Sequence, residues 1–380
     1  MRRAVIVGAG VAGLAAALRL GRDGWDTVVV ERAPARRRGG YAVNLLGAGY
    51  DAAARLGLLP ALAERDLGLF RTVLVRADGR PKLTVPAEVA AAALGGRAVS
   101  VFRGDLESVL FDAVRDHTDL RHGTTVRAVD GDTVLLSDGT TVAADLVVGA
   151  DGVRSATRAA AFGDGHLVDL PYVVGAFPVA HAAPEPSAAT FIGPGRTAAL
   201  IDLGPGRACA FFAYRCDTPL EALRRGPVEA LTATFGDLGG GVPDALRQLG
   251  GDPAGAYFDA VGQVVMPRWS SGRTVLLGDA AWCVTVFAGH GAGLALAGAD
   301  RLGAALREHG TDTAAALARW EADLRPAVVR RQAQARRGML QYAPPTRFHV
   351  WLGDLMIRAV ALPGVRGLVG RASARGRAGS

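Results

Sequence analysis

The stretch Ala4-Val5-Ile6-Val7-Gly8-Ala9-Gly10-Val11-Ala12-Gly13-Leu14 decides the fold. Four apolar residues in succession suit a parallel strand buried on both faces. The glycines that follow have the spacing GxGxxG, and residues 14–20 form an Ala/Leu-rich run of high helix propensity. Each glycine has its own task in a strand–turn–helix unit. Gly8 permits the tight turn, Gly10 lets a pyrophosphate approach the backbone, and Gly13 lets helix and strand pack closely. The helix start, at Val11 and Ala12, offers free N–H groups and a partial positive charge to phosphates.

Working outward, a second apolar run, Thr27 to Val30, ends in Glu31 with Arg32 beside it. An acid at that strand end can accept hydrogen bonds from an adenosine ribose, so the segment reads as a dinucleotide-binding unit. The start of the chain, Met1-Arg2-Arg3 and then apolar residues to Leu18, superficially resembles a signal peptide, but its glycines belong to the motif just described. It is also too short to span a membrane, which takes about 20 apolar residues.

The 380 residues correspond to two or three domains at roughly 150 each, or to one large α/β unit with insertions. Half are hydrophobic and 21% charged, which excludes a disordered chain. The surplus of 43 basic over 36 acidic residues is modest and scattered, with Lys82 as the lone lysine. That distribution argues against a nucleic-acid footprint, which gathers basic residues on one face. The basic end, Arg371 to Arg377, reads as a solvated tail. Cys209, Cys216 and Cys283 form no CxxC, so neither a disulfide framework nor a zinc site is expected, and the chain reads as soluble and cytoplasmic. The histidines, His290 included, show neither HExxH nor a triad context, and no metal site is expected.

Three later segments separate FAD from NAD. The first runs from Ala144 through Val148-Gly149-Ala150-Asp151-Gly152-Val153-Arg154-Ser155 to Arg158, the second is Gly272 to Ala281 with Gly278-Asp279, and the third is Phe287-Ala288-Gly289-His290-Gly291-Ala292-Gly293-Leu294. In this order they resemble the FAD-dependent monooxygenases of the aromatic-hydroxylase type, with a para-hydroxybenzoate-hydroxylase-like fold. The resemblance spans about residues 1–300. It implies that Asp151 lies where FAD and the nicotinamide cofactor meet, that Gly278 and Asp279 hold the ribityl chain, and that Gly289, Gly291, Ala292 and Gly293 turn their backbone to the flavin ring. It also matches Arg103 to an FAD-contacting arginine at a helix start, Val126 to a backbone position near the adenine end, and the stretch from Gly39-Gly40-Tyr41 to Gly57 to the segment leading to the flavin pocket. The chain departs from the family at Trp282, where His is frequent, and at Thr285 and Val286, where prolines are frequent.

The expected architecture is α/β: a Rossmann-like FAD-binding domain (residues 1–75, 97–170 and 267–305), an inserted antiparallel-sheet substrate domain (76–96 and 171–266) and a C-terminal helical region (306–380). Strands are expected over 173–180, 190–191, 198–203 and 207–215, with Phe212 and Tyr214 on one face and Phe211 and Arg215 on the other. Pro326 should kink or interrupt the helix around it. Phe348, Trp351, Leu352, Leu355 and Ala359 recur at helical spacing and should close the core, the alternatives being a substrate-facing lid or a membrane-surface patch.

No second GxGxxG follows a strand after residue 40, so a nicotinamide domain is not expected and NADPH or NADH would dock transiently. The resemblance implies reduction of FAD by NAD(P)H, reaction with O2 to a flavin C4a-hydroperoxide, and hydroxylation of a hydrophobic, aromatic or polyketide-like molecule by a monomer or homodimer. No side chain is singled out as catalytic. A dehydrogenase or reductase, and an epoxidase or Baeyer–Villiger enzyme, use the same scaffold. Halogenation is disfavoured because no two tryptophans have the Trp-x-Trp-x-Ile-Pro spacing. A basic nucleic-acid-binding flavoprotein is the non-enzymatic rival.

Overall fold

The computed structural model describes residues 1–36, 40–68, 70–88, 97–180 and 187–361. Gly39, His181 and the basic tail lie outside the described residues. Strand Arg3–Val7 sits inside a six-stranded sheet, between Leu146–Gly149 and Asp26–Glu31, with Thr274–Leu276 and Asp119–His122 further out and the antiparallel Ser270–Ser271 at one edge. Its alternation divides the core. Ala4 and Ile6 pack under helices Val11–Arg22 and Gly291–Glu308, while Val5 and Val7 pack with Val134, Leu136 and Val142 of a three-stranded meander over residues 126–143. The leader-like start is therefore an interior strand of the main sheet.

A second, seven-stranded sheet has the order Tyr257–Val264, Leu167–Pro178, Ala208–Arg215, Arg196–Asp202, Ser187–Gly193, Arg71–Val75, Pro81–Val85. The expected division of faces holds: Phe212 and Tyr214 pack with Phe177 and Phe235 under the helices of residues 219–251, and Phe211 faces the other way. The boundary expected at 75/76 shifts. Arg71–Val75, placed with the FAD-binding segment, pairs in parallel with Ser187–Gly193, because its apolar side chains are needed to extend the second sheet. That sheet is accordingly larger than the small antiparallel insert expected, and mixed. Its first long strand also begins before the boundary at 171, at Leu167.

In the C-terminal region the expected interruption at Pro326 and the expected closure of the core are corrected. Helix Thr313–Tyr342 continues through Pro326. Proline forfeits one backbone hydrogen bond, and the burial of Leu317, Trp320, Leu324 and Val328 on both sides of it outweighs that loss. Helix Arg347–Ala361 forms where the periodicity places it but does not close the core, since Phe348 is 62% exposed and Trp351 57%. The helix lies instead beside strand Ser187–Gly193, with Asp354 paired to Lys82, while Trp269, Trp282 and Trp320, with ring centroids 4.7–5.8 Å apart, pack in the core of the main sheet. Among the described residues, no helix is long and apolar enough to cross a membrane.

Candidate functional site

The GxGxxG turn is built as its spacing demands. Gly8 has φ 105°, and a Cβ there would lie 2.5 Å from the Ala150 carbonyl oxygen. At Gly13 a Cβ would lie 1.8 Å from the carbonyl oxygen of Gly8, so helix and turn touch backbone to backbone. Gly10 differs. Its backbone is extended, and a Cβ would meet nothing nearer than Glu107 Oε1 at 3.8 Å and Arg103 at 4.0 Å. The first amides of helix Val11–Arg22 carry no side-chain cap and open on that same space.

Glu31 closes one end of this cleft. Its carboxylate accepts from the N–H groups of Ala9 (2.9 Å) and Ala33 (2.8 Å), which fixes it while leaving lone pairs free for hydroxyl donors. Thr124 donates its N–H to the Glu31 carbonyl, so the segment before Val126 flanks this end, while Val126 itself packs beneath the sheet. Arg32 is exposed.

Arg103, at the start of helix Arg103–Val114, forms an ion pair with Glu107 at 2.7 Å. Burial disfavours the Arg103 charge, but Glu107, Tyr41, Tyr257 and Asp279 hold its pKa above the ordinary value. Asp279 follows Gly278, whose φ of 65° and close approach to Ala12 (2.7 Å from a Cβ) press this motif onto the first helix. Desolvation raises the pKa of Asp279 against the pull of Arg103 and a hydrogen bond from Cys283. The carboxylate is crowded by protein on every side, yet solvent reaches it. Both are consistent with a concave wall. A Cβ on Gly291, at the start of helix Gly291–Glu308, would lie 3.8 Å from Asp279 Oδ1, which brings that helix terminus to the same wall.

From Glu31 past Gly10, Arg103 and Asp279 to Gly291 the lining is continuous, with donors for phosphates midway and carboxylates for sugar hydroxyls on either side. An extended dinucleotide fits this series. Beyond Asp279, Tyr41 packs against Phe211 (6.4 Å between centroids) and Tyr257 (5.7 Å), an aromatic wall between the two sheets. Burial pushes the Tyr41 phenol up to about 12 and the Tyr257 phenol well above its ordinary value, so both are neutral donors at physiological pH.

Other residues singled out in the sequence have structural tasks. The Asp151 carboxylate accepts from Ser155 and Thr157 at the start of helix Ala156–Phe162, so only its backbone adjoins Gly8. Gly293 takes close contact with Gly49, where a Cβ would lie 2.5 Å from the Gly293 Cα, and Ala292 packs on the main core. Gly289 is a left-handed turn residue with φ 63°. Thr285 has φ 92°, which the proline frequent in the family could not adopt. A separate cavity of about 360 Å³, lined by Asp169, Asp217, Glu221 and Arg224 among others, is distinct from the cleft.

A family model describing an FAD binding domain matches residues 2–190. A flavin-dependent monooxygenase from an unidentified prokaryote is 30% identical over 341 residues, covering 87% of this chain and 88% of the relative. The chain belongs to the FAD-dependent monooxygenases. The crystal structure of the tetracycline destructase Tet(55) superposes with a TM-score of 0.81 at 26% identity, covering 95% of this chain and 96% of that one. Klebsiella pneumoniae HpxO, solved with FAD and uric acid, gives 0.77 at 26% identity, covering 97% and 96%. FAD is thus the cofactor of this monooxygenase. Sequence reasoning missed Glu107, legible only as an acid one helical turn after Arg103, and Tyr257, an aromatic residue with no local signature. It also missed buried Gln263 and half-buried Gln332, whose partners have no sequence signal.

Proposed function

We propose that this monooxygenase uses NAD(P)H and O2 to hydroxylate a hydrophobic small molecule, aromatic or polyketide-like. The observation that carries this reading is the wall of Tyr41, Phe211 and Tyr257 beside Asp279 and the Gly291 helix start, an apolar surface with two neutral phenol donors. Such a surface stacks on planar rings and orients their polar substituents.

In this reading Gly8 makes the tight turn, its own N–H donated to the Val30 carbonyl, while Gly10, Val11, Ala12 and Gly13 receive the pyrophosphate on backbone amides, Glu31 binds the adenosine ribose, and Arg103 offsets phosphate charge. Asp279 binds the ribityl hydroxyls, and the amides at Gly291 stabilise negative charge on the adjoining ring edge. When bound, the flavin supplies hydride acceptance and oxygen transfer. The protein's part is to bind, orient and exclude water, and residues of the seven-stranded sheet and of helix Thr313–Tyr342 pack on Phe287, just before the Gly291 helix start, on the side where water would enter. No general base is assigned. The nicotinamide cofactor docks transiently. Three free cysteines, two of them buried, favour a reducing compartment, hence the cytoplasm.

Purified protein should carry the absorption of bound flavin, and suitable aromatic compounds should stimulate NAD(P)H consumption and gain one oxygen atom by mass spectrometry. Flavin reduction by the organic substrate itself, without NAD(P)H, would replace this reading with a dehydrogenase.

A further inference from the structure

Thr285 occupies backbone space that is essentially reserved for glycine, with φ 92° and ψ 152°. It is buried, and its hydroxyl has no hydrogen-bond partner. A β-branched residue held there costs on the order of 1–3 kcal/mol and persists only where its surroundings over-determine it. The residues that do so lie on two other elements. Gln263, fully buried on strand Tyr257–Val264, donates through Nε2 to the Val284 carbonyl (3.3 Å) and the Gln332 carbonyl (3.0 Å). Its Oε1 accepts from Arg336 Nε at 2.7 Å. Gln332, on helix Thr313–Tyr342, donates one hydrogen to the Val264 carbonyl (2.7 Å) and shares the other between the carbonyls of Trp282 and Cys283 (both 3.4 Å). The Val264 N–H adds a bond to the Cys283 carbonyl at 3.1 Å.

Three successive carbonyls before Thr285 are therefore gripped from outside the cleft, and the chain beyond Thr285 leads through a short turn to the Gly291 helix start. We infer that Gln263 and Gln332 are positioning residues, which together hold residues 282–285 in a strained path and so set the loop that faces the flavin. The hydrogen bonds of both side chains go to the backbone of residues 264, 282–284 and 332 and to Arg336, so their influence on the cleft passes through the backbone. The inference rests on family membership and on the site's location, not on the identity of the substrate.

The test is a double-mutant cycle between Gln332→Leu and Thr285→Gly, read by FAD affinity and by the visible spectrum of the bound flavin. Loss of the Gln332 amide should weaken FAD binding about tenfold, the scale of one hydrogen bond, and shift the flavin absorption bands. Glycine tolerates the strained conformation without a clamp. In the Thr285→Gly background the same Gln332→Leu change should therefore cost no more than about twofold. Gln263→Leu should behave like Gln332→Leu. If Gln332→Leu does not fold, Gln332→Asn, one methylene shorter, carries the same cycle. Strictly additive effects, or an unchanged flavin spectrum in Gln332→Leu, would reduce the two glutamines to core packing. Because both readouts need only bound FAD, that outcome is distinct from a failure to find a hydroxylated product.

Discussion

At the scale of single residues, the three motif glycines look alike in sequence and do different work. A Cβ at Gly13 must displace the turn carbonyl 1.8 Å away, so Gly13→Ala should destabilise the protein by about 1–3 kcal/mol, measured by urea unfolding. Gly10 has room for a side chain, but that room is the cleft. Gly10→Val should therefore leave unfolding of the FAD-free protein unchanged while weakening FAD binding at least about tenfold. Equal loss of stability in both variants would mean that Gly10 serves packing. His290, before the Gly291 helix, is a second case. Burial, and then the nearby charge of Arg331, lower its pKa below 6.5. The unfolded chain thus takes up this proton more readily than the folded one, so the histidine's contribution is complete above pH 6.5 and declines as pH falls through that value. His290→Gln should flatten that part of the stability–pH profile, and an unaltered profile would exclude His290 as its source.

At the scale of elements, periodicity identified the helix at Arg347–Ala361 but not what covers it. Apolar spacing reports which side chains share a face. It cannot report whether that face meets the rest of the fold, and here Phe348 and Trp351 lie largely in water. Trp320→Ala should cost about 3–5 kcal/mol, because the ring is buried against two other indoles and its N–H donates to the Gly298 carbonyl at 2.9 Å. Phe348→Ser and Trp351→Ser should each cost under about 1 kcal/mol by the same measurement, since both rings lie largely in water. A large loss at Trp351 would show that its face is covered in solution. The first strand, its glycine turn and the alternation of Phe211 and Phe212 were legible because their signals are local. Arg71–Val75 was not, since its partner strand begins more than a hundred residues later and nothing near residue 71 encodes that pairing. Gln263 and Gln332 were hidden for the same reason: which backbone carbonyls a glutamine side chain meets is a property of the tertiary structure.

At the scale of the whole molecule, the cleft is assembled from stretches around residues 8–13, 31, 103 and 279–291, which no local segment could bring together. A ligand that touches all of them ties distant parts of the chain and stabilises the folded state by mass action, about 2.7 kcal/mol at a hundredfold excess over its dissociation constant. For a chain of this size that corresponds to a rise of a few degrees in Tm. FAD and FMN separate the two ends of the cleft. Both carry the ring and ribityl chain that Asp279 and Gly291 would meet, but only FAD carries the adenosine half that reaches the glycine turn and Glu31. At equal concentration FAD should therefore raise Tm by several degrees more than FMN, and Glu31→Gln should narrow the gap while leaving the FMN shift intact. If FMN stabilised the protein as well as FAD does, the amino-terminal glycine motif would have no part in holding the cofactor, and the continuous lining from Glu31 to Gly291 would need another occupant.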